Sequence, residues 1–154
     1  MKRSPSLGHL TLSLSDATAT RALGARLAAS SAPGTLVLLR GPLGAGKTTL
    51  VEGVVQELGA GRAASPTFVI VHSYAGGTMP VSHLDLYRLE DPRDVDDLEL
   101  SQYMSADGIT LVEWPERAPA PWPDDRIEIE LEIDGAARVA RIRGFGVHED
   151  AVAL

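Results

Sequence analysis

The sequence predicts one α/β domain in which a mixed parallel and antiparallel central sheet is flanked by helices. The apolar run Thr35–Leu39 has the length of a strand and leads through a glycine-rich loop into a helical segment that ends at Leu58, which is the strand–loop–helix order of a parallel sheet. Two later segments, 68–86 and 126–142, alternate on either side of glycine turns as hairpins do. Hairpins are too short for a parallel crossover, so part of the sheet has to be antiparallel.

The residues before this unit predict a strand followed by a helix. His9–Leu14 alternates between apolar and polar side chains, as a half-buried strand does. Ser15 or Asp16 then offers an N-cap for a helix that ends near Ser30, and Pro33–Gly34 breaks the helix before the next strand. The apolar face of the predicted helix consists of Leu23, Leu27 and Ala28.

The residues after the glycine-rich loop predict two hairpins with a buried strand between them. In the first hairpin, Phe68–Tyr74 and Met79–Leu86 flank the turn Gly76–Gly77. A short helix at Leu100–Met104 and an apolar strand at Ile109–Val112 follow. The second hairpin pairs Arg126–Ile133 with Ala137–Ile142 around Asp134–Gly135.

The composition limits the organisation and location of the chain. We predict one domain over residues 1–146 and a loose tail over residues 147–154. The absence of cysteine excludes disulfides and thiolate metal sites. The sequence contains no apolar run of membrane-spanning length and no signal-peptide core, so we expect a cytoplasmic protein without a membrane partner. The net charge of −7 argues against a surface that grips nucleic acid by itself, although it also fits simple solubility.

The glycine-rich loop fits the phosphate-loop pattern of a glycine, four residues and then Gly-Lys-Ser/Thr. Its glycines let successive backbone N–H groups turn toward an anion, and the following helix adds its N-terminal N–H groups and positive dipole end. Lys47 is expected to reach the β- and γ-phosphates of a nucleotide, and the Thr48 hydroxyl to ligate Mg²⁺. An accidental glycine turn is the alternative, and the flanking strand and helix argue against it. The predicted nucleotide-binding residues of the loop are Gly41, Leu43, Gly44, Ala45, Gly46, Lys47, Thr48 and Thr49.

Two carboxylates compete for the roles that a phosphate-loop hydrolase needs beside its loop, one next to the metal and one next to the attacking water. Glu113 directly follows an apolar strand, and parallel strands deliver ligands at their carboxyl ends. Asp85 lies on a more polar strand. Either residue taken alone could be an ordinary surface acid. Beside a phosphate loop, Glu113 is the better metal-side candidate and Asp85 the better catalytic residue on the water side.

Each of two other segments has a functional interpretation and a purely structural one. Ser65, Pro66 and Thr67 lie in the first loop after the phosphate-loop helix, where they form either a switch that closes over the γ-phosphate or an ordinary turn. The acidic run Glu90–Glu99 is either a solvated face or a partner surface.

The roles of the residues next to the two carboxylates also cannot be decided from the residue types. Trp114, which follows Glu113, is typical of a core residue when only its type is considered. Tyr87–Arg88, which follows Asp85 closely, supplies either a phosphate-facing cation or a side chain that merely extends to solvent.

Two missing segments narrow the class of nucleotide protein. The chain has no Asn-Lys-x-Asp segment for reading guanine, which disfavours a GTPase of the Ras type. It has no long lid insertion, which weakens the case for a small-molecule kinase. These residues therefore favour an Mg²⁺-dependent ATPase, with a small-molecule phosphotransferase and a nucleotide-gated interaction module as the alternatives.

With these segments identified, the chain resembles the TsaE (YjeE) family, the small ATPases of bacterial tRNA threonylcarbamoyladenosine synthesis. The resemblance spans the chain from about Ser15 to Arg117. The phosphate loop alone is generic, whereas the other three segments in this order are specific to the family. The matching segments are Leu43–Thr49, Ser65–Phe68, His83–Leu89 and Val112–Arg117, preceded by the helix pattern Thr20, Leu23–Gly24 and Leu27–Ala28.

The resemblance implies an ATPase that joins the TsaB and TsaD proteins. The complex of TsaB and TsaD places the threonylcarbamoyl group on adenosine 37 of tRNAs that read ANN codons. ATP hydrolysis in this family serves turnover of the complex rather than the transfer itself. The tRNA is accordingly expected to meet this chain only indirectly, through the complex.

The resemblance also implies roles for individual residues. Thr48 and Glu113 resemble the family's Mg²⁺ ligands, and Asp85 resembles the residue that acts on the attacking water. Residues 65–67 resemble the switch loop. Of the remaining positions, the resemblance places Trp114 near the nucleotide and Ser15, with Asp16, near the adenine.

Pro42 departs from the family, which usually carries an acidic or amide residue at this position. Proline removes one backbone N–H donor from the loop. Because the position lies early in the loop, nucleotide binding is expected to survive. After Arg117 the resemblance is one of layout only.

Overall fold

The computed structural model describes residues 9–62, 70–89, 91, 100–104, 106–118 and 122–149 of the chain. In this part, two α-helices, α1 (Ala17–Ser30) and α2 (Lys47–Leu58), lie against one eight-stranded sheet. Short 3₁₀ helices cover Leu86–Arg88, Leu100–Tyr103, Pro115–Arg117 and Gly146–His148. The strands are β1 (His9–Leu14), β2 (Leu36–Arg40), β3 (Gly61–Arg62), β4 (Val71–Ala75), β5 (Val81–Asp85), β6 (Ile109–Glu113), β7 (Arg126–Asp134) and β8 (Ala137–Phe145).

The sheet is mixed, as the sequence predicts. Its strand order is β1-β8-β7-β2-β6-β5-β4-β3. The central strands β7, β2, β6 and β5 are parallel to one another. The outer strands pair antiparallel, β8 and β1 on one side and β4 and β3 on the other. The two predicted hairpins are confirmed as β4–β5 and β7–β8. Of the first predicted strand, Phe68–Tyr74, residues 68 and 69 lie outside the described residues, and β4 begins at Val71.

The carboxyl ends of three central strands meet at one edge of the sheet. Leu39 of β2 and Asp85 of β5 both lie opposite Glu113 of β6 in the strand register. Because β2 continues directly into the glycine-rich loop, this register brings the loop and both carboxylates to the same edge.

One face of the sheet is covered by α1 and α2, whose apolar side chains pack on inward-facing residues of β2, β6, β7 and β8. The two helices cross at very short range through Gly24 and Gly53. A Cβ atom on Gly24 would lie 2.2 Å from the carbonyl oxygen of Leu50, and one on Gly53 would lie 2.1 Å from that of Arg21. This close contact fixes α2, and therefore the loop before it, against both α1 and the sheet.

A second apolar cluster lies on the opposite face of the central strands. It includes Leu38 of β2, Leu84 of β5 and Val112 of β6, and the partly buried Trp114 and Trp122 pack against it. The core therefore has two layers with the central strands between them. Strands buried on both faces read as nearly continuous apolar runs, which is the pattern of β2 and β6.

Most element boundaries agree with the sequence predictions. The predicted strand at His9–Leu14 is confirmed, and α1 begins after Asp16, whose carboxylate accepts the N–H of Ala19 at 2.8 Å as an N-cap. The predicted return strand of the first hairpin runs to Leu86, whereas β5 ends one residue earlier. There the side chain of Asp85 accepts the N–H of Tyr87 and starts a 3₁₀ turn. The two-residue strand β3 is too short for any periodic pattern to predict.

The described chain ends in the 3₁₀ turn Gly146–His148. The N–H of Val147 donates to the carboxylate of Asp125 at 3.0 Å. Residues 150–154 lie outside the described residues, so the boundary between a domain at 1–146 and a tail at 147–154 stays a prediction. Within the described part, neither α1 nor α2 combines the length and apolar character needed to cross a membrane.

Candidate functional site

The glycine-rich loop connects β2 to α2 and takes a shape that needs its glycines. Gly41, Gly44 and Gly46 have φ angles of 140°, 79° and 103°. Residues with a Cβ atom rarely adopt positive φ angles of this kind. A Cβ on Gly41 would also lie 2.4 Å from the carbonyl oxygen of Leu131 on β7. Gly46 is the N-cap of α2, and no side chain in the described part caps it. The first N–H groups of α2 are therefore available to an anion at this position.

Lys47 is buried within the loop, with 5% of its surface exposed. Its Nζ donates to the carbonyl oxygens of Gly41 and Pro42, the second at 3.1 Å, and lies 4.1 Å from the ring centroid of Trp114. Burial lowers the pKa of Lys47, since it disfavours the charged form. The neighbouring carboxylates, Glu113 foremost, act in the opposite direction. The ammonium group is thus held beside the loop by two carbonyls and a ring face.

Thr48 and Glu113 form a hydrogen-bonded pair at the start of α2. The Thr48 Oγ1 lies 3.2 Å from Oε1 and 3.3 Å from Oε2 of Glu113. Glu113 ends β6 and is only 3% exposed. A hydroxyl has one hydrogen and two lone pairs. Donation of the Thr48 hydrogen to Glu113 therefore leaves the lone pairs of Thr48 free to face a cation.

Asp85 ends β5 next to Glu113 and is more accessible. Its Oδ1 accepts the N–H of Tyr87 at 3.1 Å, and its Oδ2 lies 3.9 Å from Nε of Arg88. The Arg88 side chain is itself mostly exposed, so this pair is a weak surface interaction. The carboxylate of Asp85 consequently remains available to a ligand or a water molecule in front of the loop.

These residues surround one cavity of about 230 Å³. It lies in front of the N-terminus of α2, with the two carboxylates and two aromatic rings on its other side. The sequence-predicted residues of the loop and of the neighbouring strands are therefore brought together at this cavity, with the exception of Gly41, which does not line it. The lining residues are Leu43, Gly44, Ala45, Gly46, Lys47, Thr48, Thr49, Asp85, Tyr87, Glu113 and Trp114.

Trp114 lies at this cavity and not in the interior of the core. It has φ 58° and ψ 49°, and it is the one non-glycine residue with positive φ in the described part of the chain. Its ring packs 5.0 Å from that of Tyr87, over which the guanidinium of Arg117 lies at 5.0 Å. The core interpretation of Trp114 is therefore only partly right, because the ring packs against the second apolar cluster with one part. The left-handed backbone at the end of β6 also brings the ring to the cavity, beside Lys47.

A second, smaller cavity of about 120 Å³ lies on the other side of the loop. The predicted adenine-side residue Ser15 is exposed and does not line this cavity, whereas its neighbour Asp16 does. Arg138 of β8 also lines it and donates to the carbonyl oxygen of Gly44 at 3.1 Å. Sequence reasoning misses Arg138 because no motif marks it and it lies 94 residues from Gly44 along the chain.

His83 is the other residue that sequence reasoning misses. Its Nε2 lies 2.6 Å from Oε2 of Glu113, and both side chains are buried. A signal for it exists in the sequence. Since side chains two residues apart on a strand share a face, His83 has to lie on the same side of β5 as Asp85.

Two predicted segments cannot be placed at the site. The predicted switch residues Ser65, Pro66 and Thr67 lie outside the described residues. Of the acidic run Glu90–Glu99, only Asp91 is described. The roles assigned to these segments stay predictions.

Comparison with known proteins gives one consistent family. A family model described as threonylcarbamoyl adenosine biosynthesis protein TsaE matches residues 14–141. A Synechocystis protein named tRNA threonylcarbamoyladenosine biosynthesis protein TsaE is 50% identical over 111 residues, covering 69% of this chain and 70% of that protein. A Streptomyces coelicolor protein of the same name is 43% identical over 136 residues, covering 84% and 91% of the two chains.

The fold is also similar to a solved structure. The crystal structure of Bacillus subtilis YdiB superposes with a TM-score of 0.78 at 28% sequence identity, covering 96% of this chain and 93% of that chain. The family match extends beyond Arg117 through most of the β7–β8 hairpin, farther than the motifs alone indicate. The chain therefore belongs to the TsaE family of threonylcarbamoyl adenosine biosynthesis proteins.

Proposed function

We propose that this protein is an Mg²⁺-dependent ATPase that works with TsaB and TsaD in forming threonylcarbamoyladenosine at position 37 of tRNAs that read ANN codons. A role in threonylcarbamoyladenosine biosynthesis follows from its family. The ATPase activity and the two partners are our proposal. The observation that carries it is the cavity of about 230 Å³ where the phosphate loop meets Thr48, Asp85 and Glu113.

The phosphate groups of ATP would lie against the loop and the N-terminus of α2. The positive φ angles of Gly44 and Gly46 let the backbone approach an anion closely, and the helix end contributes its dipole. Lys47 lines the same cavity and carries the charge that the β- and γ-phosphates require. Pro42 is compatible with this role, because its carbonyl oxygen holds both Lys47 and the N–H of Ala45.

The donor set beside the loop fits Mg²⁺. Oxygen atoms from a hydroxyl and a carboxylate are the ligands that this ion prefers, and it usually takes few protein ligands together with water and phosphate oxygens. Thr48 and Glu113 would hold the ion, directly or through water. When bound, Mg²⁺ neutralises charge that develops on the transferring phosphoryl group.

Asp85 would act on the attacking water. Its carboxylate faces the cavity beside Glu113 and is accessible, so it can accept a hydrogen bond from a water molecule in front of the γ-phosphate. The water oxygen forms the new bond to phosphorus as the bond to the β-phosphate oxygen breaks, and ADP leaves with that oxygen. The side chain of Asp85 orients the water and takes up its proton.

The smaller cavity on the other side of the loop suits the adenosine end of the nucleotide. It contacts Gly44, Ala45 and Gly46 from the side opposite the carboxylates, so a nucleotide lying across the loop would reach both cavities. Asp16 and Arg138 supply polar groups at its wall. Asp16 thus carries the adenine-side role more directly than Ser15.

Two exposed apolar side chains support a protein partner at the ATP site. Leu43 is 63% exposed and Tyr87 is 41% exposed, and both line the larger cavity. They account for two of the four large hydrophobic side chains that are exposed in the described part of the chain. The net charge of −7 also argues that the TsaB–TsaD complex, and not this chain, holds the tRNA in the cytoplasm.

Calorimetric titration with ATP, in Mg²⁺ and in EDTA, tests the proposed site. We expect one ATP per chain, with an affinity that falls at least about tenfold when Mg²⁺ is removed. Thr48→Val removes the hydroxyl that faces the ion, so this variant should bind ATP in Mg²⁺ no better than the parent protein does in EDTA. Thr11→Val on the exposed edge strand β1 is the matched control and should bind as the parent does. ATP binding that is indifferent to both Mg²⁺ and Thr48→Val would contradict the proposal.

A further inference from the structure

His83 contacts the proposed metal-side carboxylate from the neighbouring strand β5. It is 5% exposed, and its Nε2 lies 2.6 Å from Oε2 of Glu113. His83 lines neither of the two cavities at the loop, so it does not contact the nucleotide in the proposed site. A buried imidazole at hydrogen-bond distance from a buried carboxylate nevertheless constrains that carboxylate strongly.

The strand register explains why the two side chains meet. Val81, His83 and Asp85 share one face of β5, and Leu111 and Glu113 share the corresponding face of β6. In the parallel pairing, His83 lies opposite Leu111, one step before Asp85 reaches Glu113. The glutamate side chain is long enough to reach back over this step. One strand therefore supplies both the accessible acid and the buried imidazole.

The hydrogen-bond chemistry fixes the direction of this contact. A carboxylate that serves as a metal ligand is ionised and can only accept hydrogen bonds. In that state of Glu113, Nε2 of His83 carries the hydrogen that lies between the two groups. The hydroxyl of Thr48 donates to the same carboxylate from the loop side. Glu113 is thus held by two donors, with Thr48 within reach of both oxygens and His83 at Oε2, and these contacts restrict the orientation of its carboxyl group.

The imidazole ring is itself held in place. The ring of His72 on the neighbouring strand β4 stacks on it, with centroids 5.7 Å apart and planes inclined by 29°. The resulting row of side chains, from His72 through His83 and Glu113 to Thr48, crosses the sheet from β4 to α2.

We propose that His83 is a positioning residue for the metal side of the ATP site. By donating to Glu113 it sets the orientation in which that carboxylate meets the ion that Thr48 also faces. The proposal rests on the proposed ATPase function, because it presupposes Mg²⁺ at this position. Residues behind a metal ligand commonly tune metal affinity 10- to 100-fold in this way, as an order of magnitude.

Three substitutions at His83 separate positioning from simple space filling. The amide nitrogen of glutamine can occupy roughly the position of Nε2, whereas the shorter asparagine reaches only about as far as Nδ1. Leucine fills much of the volume of the imidazole ring and donates no hydrogen bond to Glu113. His9→Gln on the exposed edge strand β1 is the control for a histidine far from the site.

The measured quantity is the Mg²⁺ concentration at which the Mg²⁺-dependent gain in ATP binding is half complete. It is determined by calorimetry on the full chain. We expect His83→Leu and His83→Asn to raise this concentration by about tenfold and to leave ATP binding in EDTA unchanged. His83→Gln should stay within about threefold of the parent protein. Should the leucine variant fail to fold, the glutamine and asparagine variants still give the comparison.

Either of two results would overturn the proposal while leaving the ATPase function intact. One is an unchanged Mg²⁺ requirement in a folded His83→Asn variant. The other is a glutamine variant that is as impaired as the asparagine variant. A parent protein whose ATP binding does not depend on Mg²⁺ would instead contradict the proposed function itself, so the two failures are distinguishable.

Discussion

Replacing Lys47 by alanine is expected to lower ATP hydrolysis at least about 100-fold, the usual loss when one preorganised donor beside a reacting centre is removed. Among the described residues that line the larger cavity, Lys47 is the only lysine or arginine. No other side chain there can replace its charge next to the transferring phosphoryl group. The measurement is phosphate release at saturating Mg²⁺ and ATP, where a loss of binding alone would not lower the rate.

Arg21→Ala is the control for the loss of one positive charge. Arg21 lies on α1 in an exposed ion pair with Glu52, a type of pair that contributes little to stability. The hydrolysis rate of the Arg21→Ala variant should match that of the parent protein. In Lys47→Ala, the carbonyl oxygens of Gly41 and Pro42 lose the donor that Lys47 supplies. Thermal unfolding of both variants checks that the domain remains folded after this loss. Full turnover by a folded Lys47→Ala variant would refute the site assignment.

Asp85→Asn is expected to separate nucleotide binding from turnover. Asparagine keeps an oxygen that can accept the N–H of Tyr87, so the turn after β5 should persist. It cannot take up a proton from the attacking water. Since positioned general bases contribute about 100- to 10,000-fold, we expect hydrolysis to fall at least about 100-fold. The affinity for ATP in Mg²⁺, measured by calorimetry, should change by less than about threefold.

Glu113→Gln provides the contrast to this variant. Glutamine removes the charge that would face the proposed ion, and its amide NH₂ group would lie against the donors of Thr48 and His83, which is unfavourable. The Mg²⁺ dependence of ATP binding should therefore weaken in Glu113→Gln and persist in Asp85→Asn. The reverse pattern would show that the two carboxylates have exchanged roles, with Asp85 on the metal side.

The local parts of this site are predictable because each of them depends on a short stretch of consecutive residues. The phosphate loop needs positive φ angles at Gly44 and Gly46, and only glycine adopts these without strain. The start of α1 follows from Asp16, since an aspartate before an apolar helical pattern is a strong N-cap. The buried strand β6 follows from its unbroken apolar run, and its end locates Glu113.

The contacts that complete the site depend on which strands become neighbours, and hydrophobic periodicity does not encode that. β2 lies between β6 and β7, both of which come much later in the chain. The bond from Arg138 to Gly44 and the pair of His83 with Glu113 arise only from this order. The left-handed backbone of Trp114 has no signal in the residue type, because tryptophan has no preference for that conformation.

The rate of ATP hydrolysis by the purified protein, measured alone and with TsaB–TsaD added, tests the central claim most directly. We predict slow hydrolysis by the protein alone, because the cavity is open at Leu43 and Tyr87, and a clear increase when the complex is present. Rapid turnover that the complex does not change would contradict a partner-dependent ATPase and would point to an independent ATPase or a small-molecule phosphotransferase.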